Sequence, residues 1–325
     1  MKNKGIAVAG SILVDIINTV SKFPNEGELT QISSVTKAVG GCVPNVAIDI
    51  KKISNELTVS AIGKIGNDDN GEYVKSVLNG NCVNTNMVCS CDDDATSFTQ
   101  VISVAGGQRT FFTYSGASSE FGIDDIDFSK LDADILHLGY FLLLEKVDNG
   151  DGIKILEKAK NIGIKTSIDL VSENSDRYNT IVPCLKFTDY LIINELEGGR
   201  LTNIEPSIEN IPIIAEKLLE FGVNEKVIIH FVDGSVCMSK DGKLTTLGSF
   251  ELPKDYIKGT TGAGDAFCSG ALVGIYNNLS DKEILEYATV CAAMALGTQD
   301  ATSGLTDIKT AFEKCRYLKR KELCL

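Results

Sequence analysis

Through most of the chain, short apolar runs alternate with segments whose apolar residues recur at helical spacing. Ile6-Ala7-Val8-Ala9, Ile135-Leu136-His137-Leu138, Lys165-Thr166-Ser167-Ile168-Asp169-Leu170, Tyr190-Leu191-Ile192-Ile193 and Val227-Ile228-Ile229 read as strands. Gly152 to Ile162 reads as a helix, with Ile153, Leu156 and Ala159 at helical spacing. Ile211 to Phe221 reads as another, with Pro212 tolerable in its first turn and Gly222 as its stop. Ser280-Asp281-Lys282-Glu283 makes a capping box for a helix carrying Ile284, Ala288, Cys291, Ala292 and Ala295 on one face. This βαβα order predicts an α/β fold with a mainly parallel sheet covered by helices on both faces.

Two stretches break the alternation. Residues 11–37 and 95–115 read as strands without helices between them, including Thr96-Ser97-Phe98-Thr99-Gln100-Val101-Ile102 and Arg109-Thr110-Phe111-Phe112-Thr113-Tyr114. Ala105-Gly106-Gly107-Gln108 is a hairpin turn in this reading, and the alternation leaves one face of a small sheet apolar. There is no internal repeat, low-complexity segment or long linker, so the 325 residues are expected to form a single domain with these strands inserted in it.

Composition narrows the function classes. Hydrophobic content of 43% and charged content of 23% allow a sizeable core. The net charge of −13, with no basic cluster beyond Lys319-Arg320-Lys321, argues against nucleic-acid binding. An anionic ligand must then be drawn by local donors and metal ions against the overall field. No apolar run approaches the roughly 18 residues of a membrane helix, and Met1-Lys2-Asn3-Lys4 leads into a strand without a signal-peptide pattern. The ten cysteines are expected to be reduced, and His137 and His230, the only histidines, do not complete a zinc pattern with them in sequence. These features point to a cytoplasmic protein with neither a membrane nor a nucleic-acid partner.

The most informative chemistry lies in Gly259-Thr260-Thr261-Gly262-Ala263-Gly264-Asp265-Ala266-Phe267-Cys268-Ser269-Gly270. Phe267, Ala271 and Ile275 recur at helical spacing, while Ala266, Gly270 and Gly274 make a small-residue face. The glycines would present backbone N–H groups at a helix start, where orphan donors and the dipole favour an anion. Asp265 could then touch whatever reacts beside that anion. On spacing alone the same residues equally describe an acidic side chain complementing a helix dipole.

Thr261-Gly262-Ala263-Gly264-Asp265-Ala266-Phe267 resembles the C-terminal signature of the ribokinase-like (phosphofructokinase-B) carbohydrate kinases. Gly10-Ser11-Ile12-Leu13-Val14-Asp15 is similar to that family's first strand, which ends in a substrate-binding Asp. Gly40-Gly41-Cys42-Val43-Pro44-Asn45-Val46-Ala47 resembles its Gly-Gly-x-x-x-Asn-x-Ala motif. Ile62-Gly63-Lys64-Ile65-Gly66-Asn67-Asp68-Asp69-Asn70-Gly71 is similar to its N-terminal signature, and Asn194-Glu195-Leu196-Glu197 to its Asn-Glu-x-Glu segment. The resemblance covers about residues 5 to 305.

It implies a three-layer α/β/α sandwich with a small β-sheet lid that, in several members, is also the homodimer contact. It further implies ATP and Mg²⁺ as cofactors and a hydroxymethyl group of a small sugar of ribose, fructose or keto-deoxy-acid type as acceptor. Asp265 would be the catalytic base, and the Gly262, Ala263 and Gly264 amides would steady developing charge. Asp15, Gly40, Gly41 and Asn45 would hold the substrate, with turn and cap roles as their plain alternatives. Arg109 either reaches the substrate or is an exposed strand arginine, and Asp169 either touches substrate or caps a loop. Asn194, Thr261, Gly262 and Gly264 would meet the nucleotide and Glu197 the Mg²⁺, unless the acidic residues are only a solvated helix start.

Two departures qualify this. Gly259 stands where many members carry an Asp that helps bind a monovalent cation, which puts potassium activation in doubt. His230 and Val232 replace residues of a Thr-x-Gly segment near the nucleotide, which leaves the preferred donor open. A nucleoside kinase, with Phe98, Phe111, Phe112 and Tyr114 stacking on a base, and a catalytically silent sugar- or nucleotide-binding regulator are the competing functions.

Overall fold

The computed structural model describes residues 4–104, 109–253, 255–323 and 325. The expected turn at Ala105-Gly106-Gly107-Gln108 and the opening residues 1–3 lie outside the described residues.

Thirteen strands form two sheets among the described residues. They are β1 (Ile6–Gly10), β2 (Leu13–Val20), β3 (Ile32–Gly40), β4 (Val59–Gly66), β5 (Asn84–Cys91), β6 (Ser97–Val104), β7 (Arg109–Tyr114), β8 (Ile135–Phe141), β9 (Lys165–Leu170), β10 (Tyr190–Asn194), β11 (Lys226–Phe231), β12 (Gly234–Ser239) and β13 (Leu244–Gly248). The larger sheet has the order β13-β12-β11-β10-β9-β8-β1-β4-β5. Every neighbouring pair from β11 to β5 is parallel, and only β12 and β13 join antiparallel.

The helices are α1 (Cys42–Ile53), α2 (Asp69–Gly80), the short α3 (Gly116–Ser119), α4 (Gly152–Asn161), the short α5 (Val182–Leu185), α6 (Glu195–Thr202), α7 (Ile211–Glu220), α8 (Ala263–Tyr276), α9 (Asp281–Leu296) and α10 (Ile308–Cys315). They cover the large sheet on both faces because its central strands are apolar on both. Along β1, Ile6 and Val8 enter one core with α1, α2, α8 and α9, whereas Ala7 and Ala9 enter the other with α4 and α7. Side chains of a fully buried strand that alternate between two cores thus build a three-layer α/β/α sandwich.

The smaller sheet has the order β3-β2-β6-β7, with β2 and β6 parallel and both edges antiparallel. Here the structure corrects one expectation. Asp15 does not end the first strand of the main sheet. The chain leaves that sheet at Gly10, whose φ of 140° has no room for a side chain because a Cβ would stand 2.5 Å from the Gly139 carbonyl oxygen, and Asp15 lies on β2 of the small sheet. The small sheet is only partly buried. β2 and β6 show part-buried alternation, but β7 is exposed throughout and so is the first half of β3, because these edges stand clear of the body.

Candidate active site

The carboxyl ends of β8 to β11 open on one pocket of about 240 Å³. Open α/β sheets place ligands in such crevices, next to a reversal of strand order. Tyr140 of β8, Asp169 of β9, Asn194 closing β10 and His230 of β11 line it from the sheet side. Gly262, Gly264, Asp265 and Cys268 line it from the start of α8.

The glycine-rich run makes that helix start possible. Gly262 is the N-cap in the left-handed region, at φ 78°, and a Cβ there would stand 2.4 Å from Ala301 Cα. The Ala263 amide turns back to the Thr260 carbonyl at 3.3 Å. Among the described residues, no acceptor takes the amides of Gly264 and Asp265. These donors sit at the positive end of a 14-residue helix, an arrangement suited to an anion. Thr261 is exposed in the turn just before it.

Asp265 is buried, with 6% of its surface exposed. Its Oδ2 accepts from Asn45 Nδ2 at 2.9 Å, and both carboxylate oxygens stand 2.9 Å from the donating Tyr140 hydroxyl. Burial, with the Asp169 charge beside it, pushes its carboxyl up to about 6. Tyr140 is itself held by its backbone N–H, which donates to Asp169 Oδ1 at 2.6 Å. Its φ of 61° is unusual for an aromatic residue. Asn45 is no helix cap, since that place belongs to Gly41. It lies within α1, reaches across to α8, and leaves its buried Oδ1 without a partner among the described residues. One turn further along α1, Asp49 buries both carboxylate oxygens unpartnered, and burial, then the Asp265 charge, pushes its carboxyl well up.

Gly40 and Gly41 make close approaches. A Cβ on Gly40 would meet Asp15 Oδ2 at 2.6 Å, and one on Gly41, at φ 87°, would meet the Ser11 carbonyl at 2.7 Å. Burial pushes the Asp15 carboxyl up to about 6. Arg109 is not brought to this group and stands exposed at the start of β7.

Asn194 and Glu197 form a reciprocal cap on α6. Asn194 Oδ1 accepts from the Glu197 amide at 2.9 Å, and Glu197 Oε2 accepts from the Asn194 amide at 3.0 Å. Glu197 Oε1 also accepts from Ser172 Oγ at 2.8 Å and Asn194 Nδ2 at 2.9 Å. Glu197 is buried rather than solvated, and burial pushes its carboxyl up to about 7. Three carboxylates, Asp169, Glu197 and Asp265, therefore face one pocket whose described lining contains no lysine or arginine. That donor set fits a hard divalent cation. His230 lies against Phe267, ring centroids 4.7 Å apart, and burial brings its imidazole down to about 4, so it is neutral.

Sequence reasoning missed Tyr140, because nothing in Leu138-Gly139-Tyr140 marks chemistry and its partner lies 125 residues away. It also missed how the fold gathers Cys42, His137 and Asp169 from separate elements to within 4.8 Å. The nine described cysteines are all free thiols, and no described helix is long and apolar enough to cross a membrane.

Comparison with known proteins gives the family and the fold. The profile described as pfkB family carbohydrate kinase matches residues 3–308. A ribokinase of Arabidopsis thaliana is 22% identical over 96% of this chain and 81% of its own. Fructokinase-2 of Oryza sativa subsp. japonica is 27% identical over 94% of this chain and 91% of its own. The structure of Arabidopsis thaliana ribokinase complexed with ribose and ATP superposes with a TM-score of 0.83 at 22% identity, covering 97% of this chain and 99% of that one. The fold is thus ribokinase-like. With the family profile spanning nearly its whole length, the chain belongs to the pfkB family of carbohydrate kinases, phosphotransferases whose acceptor is an alcohol group.

Proposed function

We propose that this protein is an ATP-dependent sugar kinase that transfers the γ-phosphoryl group to a hydroxymethyl group of a small carbohydrate, with Asp265 as the base. The observation that carries this reading is the hydroxyl already seated on Asp265: the Tyr140 O–H donates to that carboxylate at 2.9 Å, the contact an acceptor hydroxyl must make. The orphaned Oδ1 of Asn45 beside it supports a polar ligand there.

An acceptor hydroxyl replaces the Tyr140 O–H on Asp265, oriented by Asn45, with Asp15 and the backbone of Gly40 and Gly41 holding the rest of the sugar. Asp265 takes the hydroxyl proton as the oxygen attacks. Its carboxyl at about 6 suits that step, ionised at neutral pH yet basic enough to accept a proton. The α8 amides of Gly264 and Asp265 face the phosphoryl oxygens, and Gly262 and Thr261 shape the approach to them. Asn194 and Glu197 would hold Mg²⁺ beside the nucleotide phosphates, in a pocket that Asp169 and Asp265 also face. Bound there, the ion supplies neutralisation of phosphate charge. Phe111, Phe112 and Tyr114, the residues a nucleoside acceptor would stack on, are exposed on β7 and are not among the residues that line the pocket. The protein acts in the cytoplasm in this reading, in keeping with its free thiols.

The test is ADP release with Mg·ATP against ribose, fructose, keto-deoxy acids and nucleosides, with and without K⁺. One sugar giving strong turnover, indifferent to K⁺, is expected. Asp265→Asn should cut that turnover by about 10²–10⁴-fold while leaving nucleotide binding intact. Near-normal turnover in this variant sinks the assignment of the base.

A further inference from the structure

The floor of the pocket continues into a buried cluster that shares Asp169 with the site but whose thiols and imidazole phosphoryl transfer does not use. Cys42 opens α1, His137 lies in β8 and Asp169 in β9; all three are buried, and their Sγ, ring nitrogen and carboxylate oxygen lie within 4.8 Å of one another. A second buried thiol, Cys268 of α8, joins them. His137 Nε2 stands 3.4 Å from Asp169 Oδ2 and 3.7 Å from Cys268 Sγ.

Two of these separations, 3.4 and 3.7 Å from the imidazole, fall in the range of a coordination shell, and Cys42 Sγ, within 4.8 Å of the imidazole and the carboxylate, would be drawn inward on binding. A tetrahedral ion with bonds of about 2.0–2.3 Å holds its ligand atoms about 3.3–3.8 Å apart. The imidazole is also oriented from behind. His137 Nδ1 lies 3.1 Å from Ser167 Oγ, and a proton on Nδ1 leaves the Nε2 lone pair facing Asp169 and Cys268. Gly139 keeps the space open, since a Cβ there would fall 1.9 Å from Cys42 Sγ and 3.0 Å from Asp169 Oδ1. An entry path exists because Asp169 and Cys268 both line the pocket. Core hydrogen bonding accounts for any one of these contacts. Two thiols, an imidazole and a carboxylate converging in one buried place have the composition of a soft-cation site.

We propose that Cys42, His137, Asp169 and Cys268 form a binding site for a thiophilic divalent cation, Zn²⁺ by ligand chemistry, beneath the acceptor pocket. Thiolate and imidazole ligands select such an ion over Mg²⁺, which prefers oxygen alone. Asp169 couples the site to the pocket, because its other oxygen holds the Tyr140 amide and the Tyr140 hydroxyl holds Asp265. Zn²⁺ is therefore expected to slow turnover as well as to bind.

The site is tested on the full chain, stripped with a chelator and free of nucleotide, by titration with Co²⁺ followed by absorption and then displacement with Zn²⁺. One equivalent should bring up thiolate-to-cobalt charge transfer in the wild-type protein. That band should vanish in the Cys42→Ser, Cys268→Ser double variant, and His137→Gln should bind at least about tenfold more weakly. A double change at Cys89 and Cys91 should leave it intact. No thiolate band in the wild type, or a band that survives the Cys42/Cys268 change, overturns the proposal. The spectrum needs no turnover, so its outcome is independent of the acceptor and of the proposed base.

Discussion

Tyr140 and Asp265 define the smallest unit of this site, and their chemistry can be separated by pH. As the proposed base, Asp265 must be ionised to act, so kcat/KM should fall as pH drops through about 6. The Tyr140 hydroxyl donates to the charged carboxylate and so holds its proton affinity below what burial alone would give. Tyr140→Phe removes that donor. A hydrogen bond to a charged group contributes about 1.5–3 kcal/mol, so the acid limb of kcat/KM should move up by about one pH unit or more. The limb of kcat should move much less, because in the substrate complex the acceptor hydroxyl has taken the tyrosine's place. Equal movement of both limbs would show that Tyr140 stays on Asp265 through turnover, and no movement would show that the contact is absent in solution.

Helix α8 turns a run of small residues into a donor platform, and its geometry depends on Gly262. An alanine at φ 78° costs about 1–2 kcal/mol in backbone strain before any contact is counted, and its Cβ would strike Ala301 at 2.4 Å. Gly262→Ala should therefore displace the start of α8, lower kcat/KM for the preferred acceptor at least about tenfold through misplaced groups, and lower the melting temperature. Steady-state kinetics with a thermal melt checks both, and unchanged kcat/KM would remove the helix start from the site. Gly270 and Gly274 let the same helix press against α9, as Cβ positions 2.7 Å from the Tyr287 carbonyl and 3.1 Å from Ile284 Cα show.

Much at this scale was legible in sequence. The capping box at Ser280 and Glu283, the stop at Gly222 and the strand Lys165–Leu170 all rest on local spacing, and local spacing survives folding. What sequence could not give were contacts set by topology. The strand order brings β8 beside β9, which places Asp169 beneath the Tyr140 amide and His137 between two thiols from different helices. The break after Gly10 was equally hidden, since Ser11-Ile12 carries no turn signal and the cause is a carbonyl 129 residues away.

At the scale of the molecule, the lid poses the outstanding physical problem. The order β3-β2-β6-β7 leaves both edge strands open, and the open strands carry apolar side chains: Val35 is 63% exposed, Phe111 61% and Phe112 56%. An edge strand with adjacent exposed phenylalanines invites association unless a partner covers it. We propose that a second copy of the chain does so, lid against lid, because an isologous pair covers the same residues on both subunits with one contact. The same contact would brace β2, the strand that carries Asp15, so pairing and acceptor affinity should fall together. Phe111→Lys with Phe112→Lys should give a monomer in sedimentation equilibrium where the parent protein is a dimer at micromolar concentration. Its far-ultraviolet dichroism should be unchanged, since neither side chain belongs to a core cluster. Its KM for the acceptor should rise several-fold, with a smaller change in KM for nucleotide, because the groups proposed to meet the nucleotide lie on β10 and α8 rather than on the small sheet. A parent protein that sediments as a monomer at every concentration would leave the phenylalanines uncovered and sink lid pairing. A dimer that survives the double change would place the contact elsewhere on the molecule.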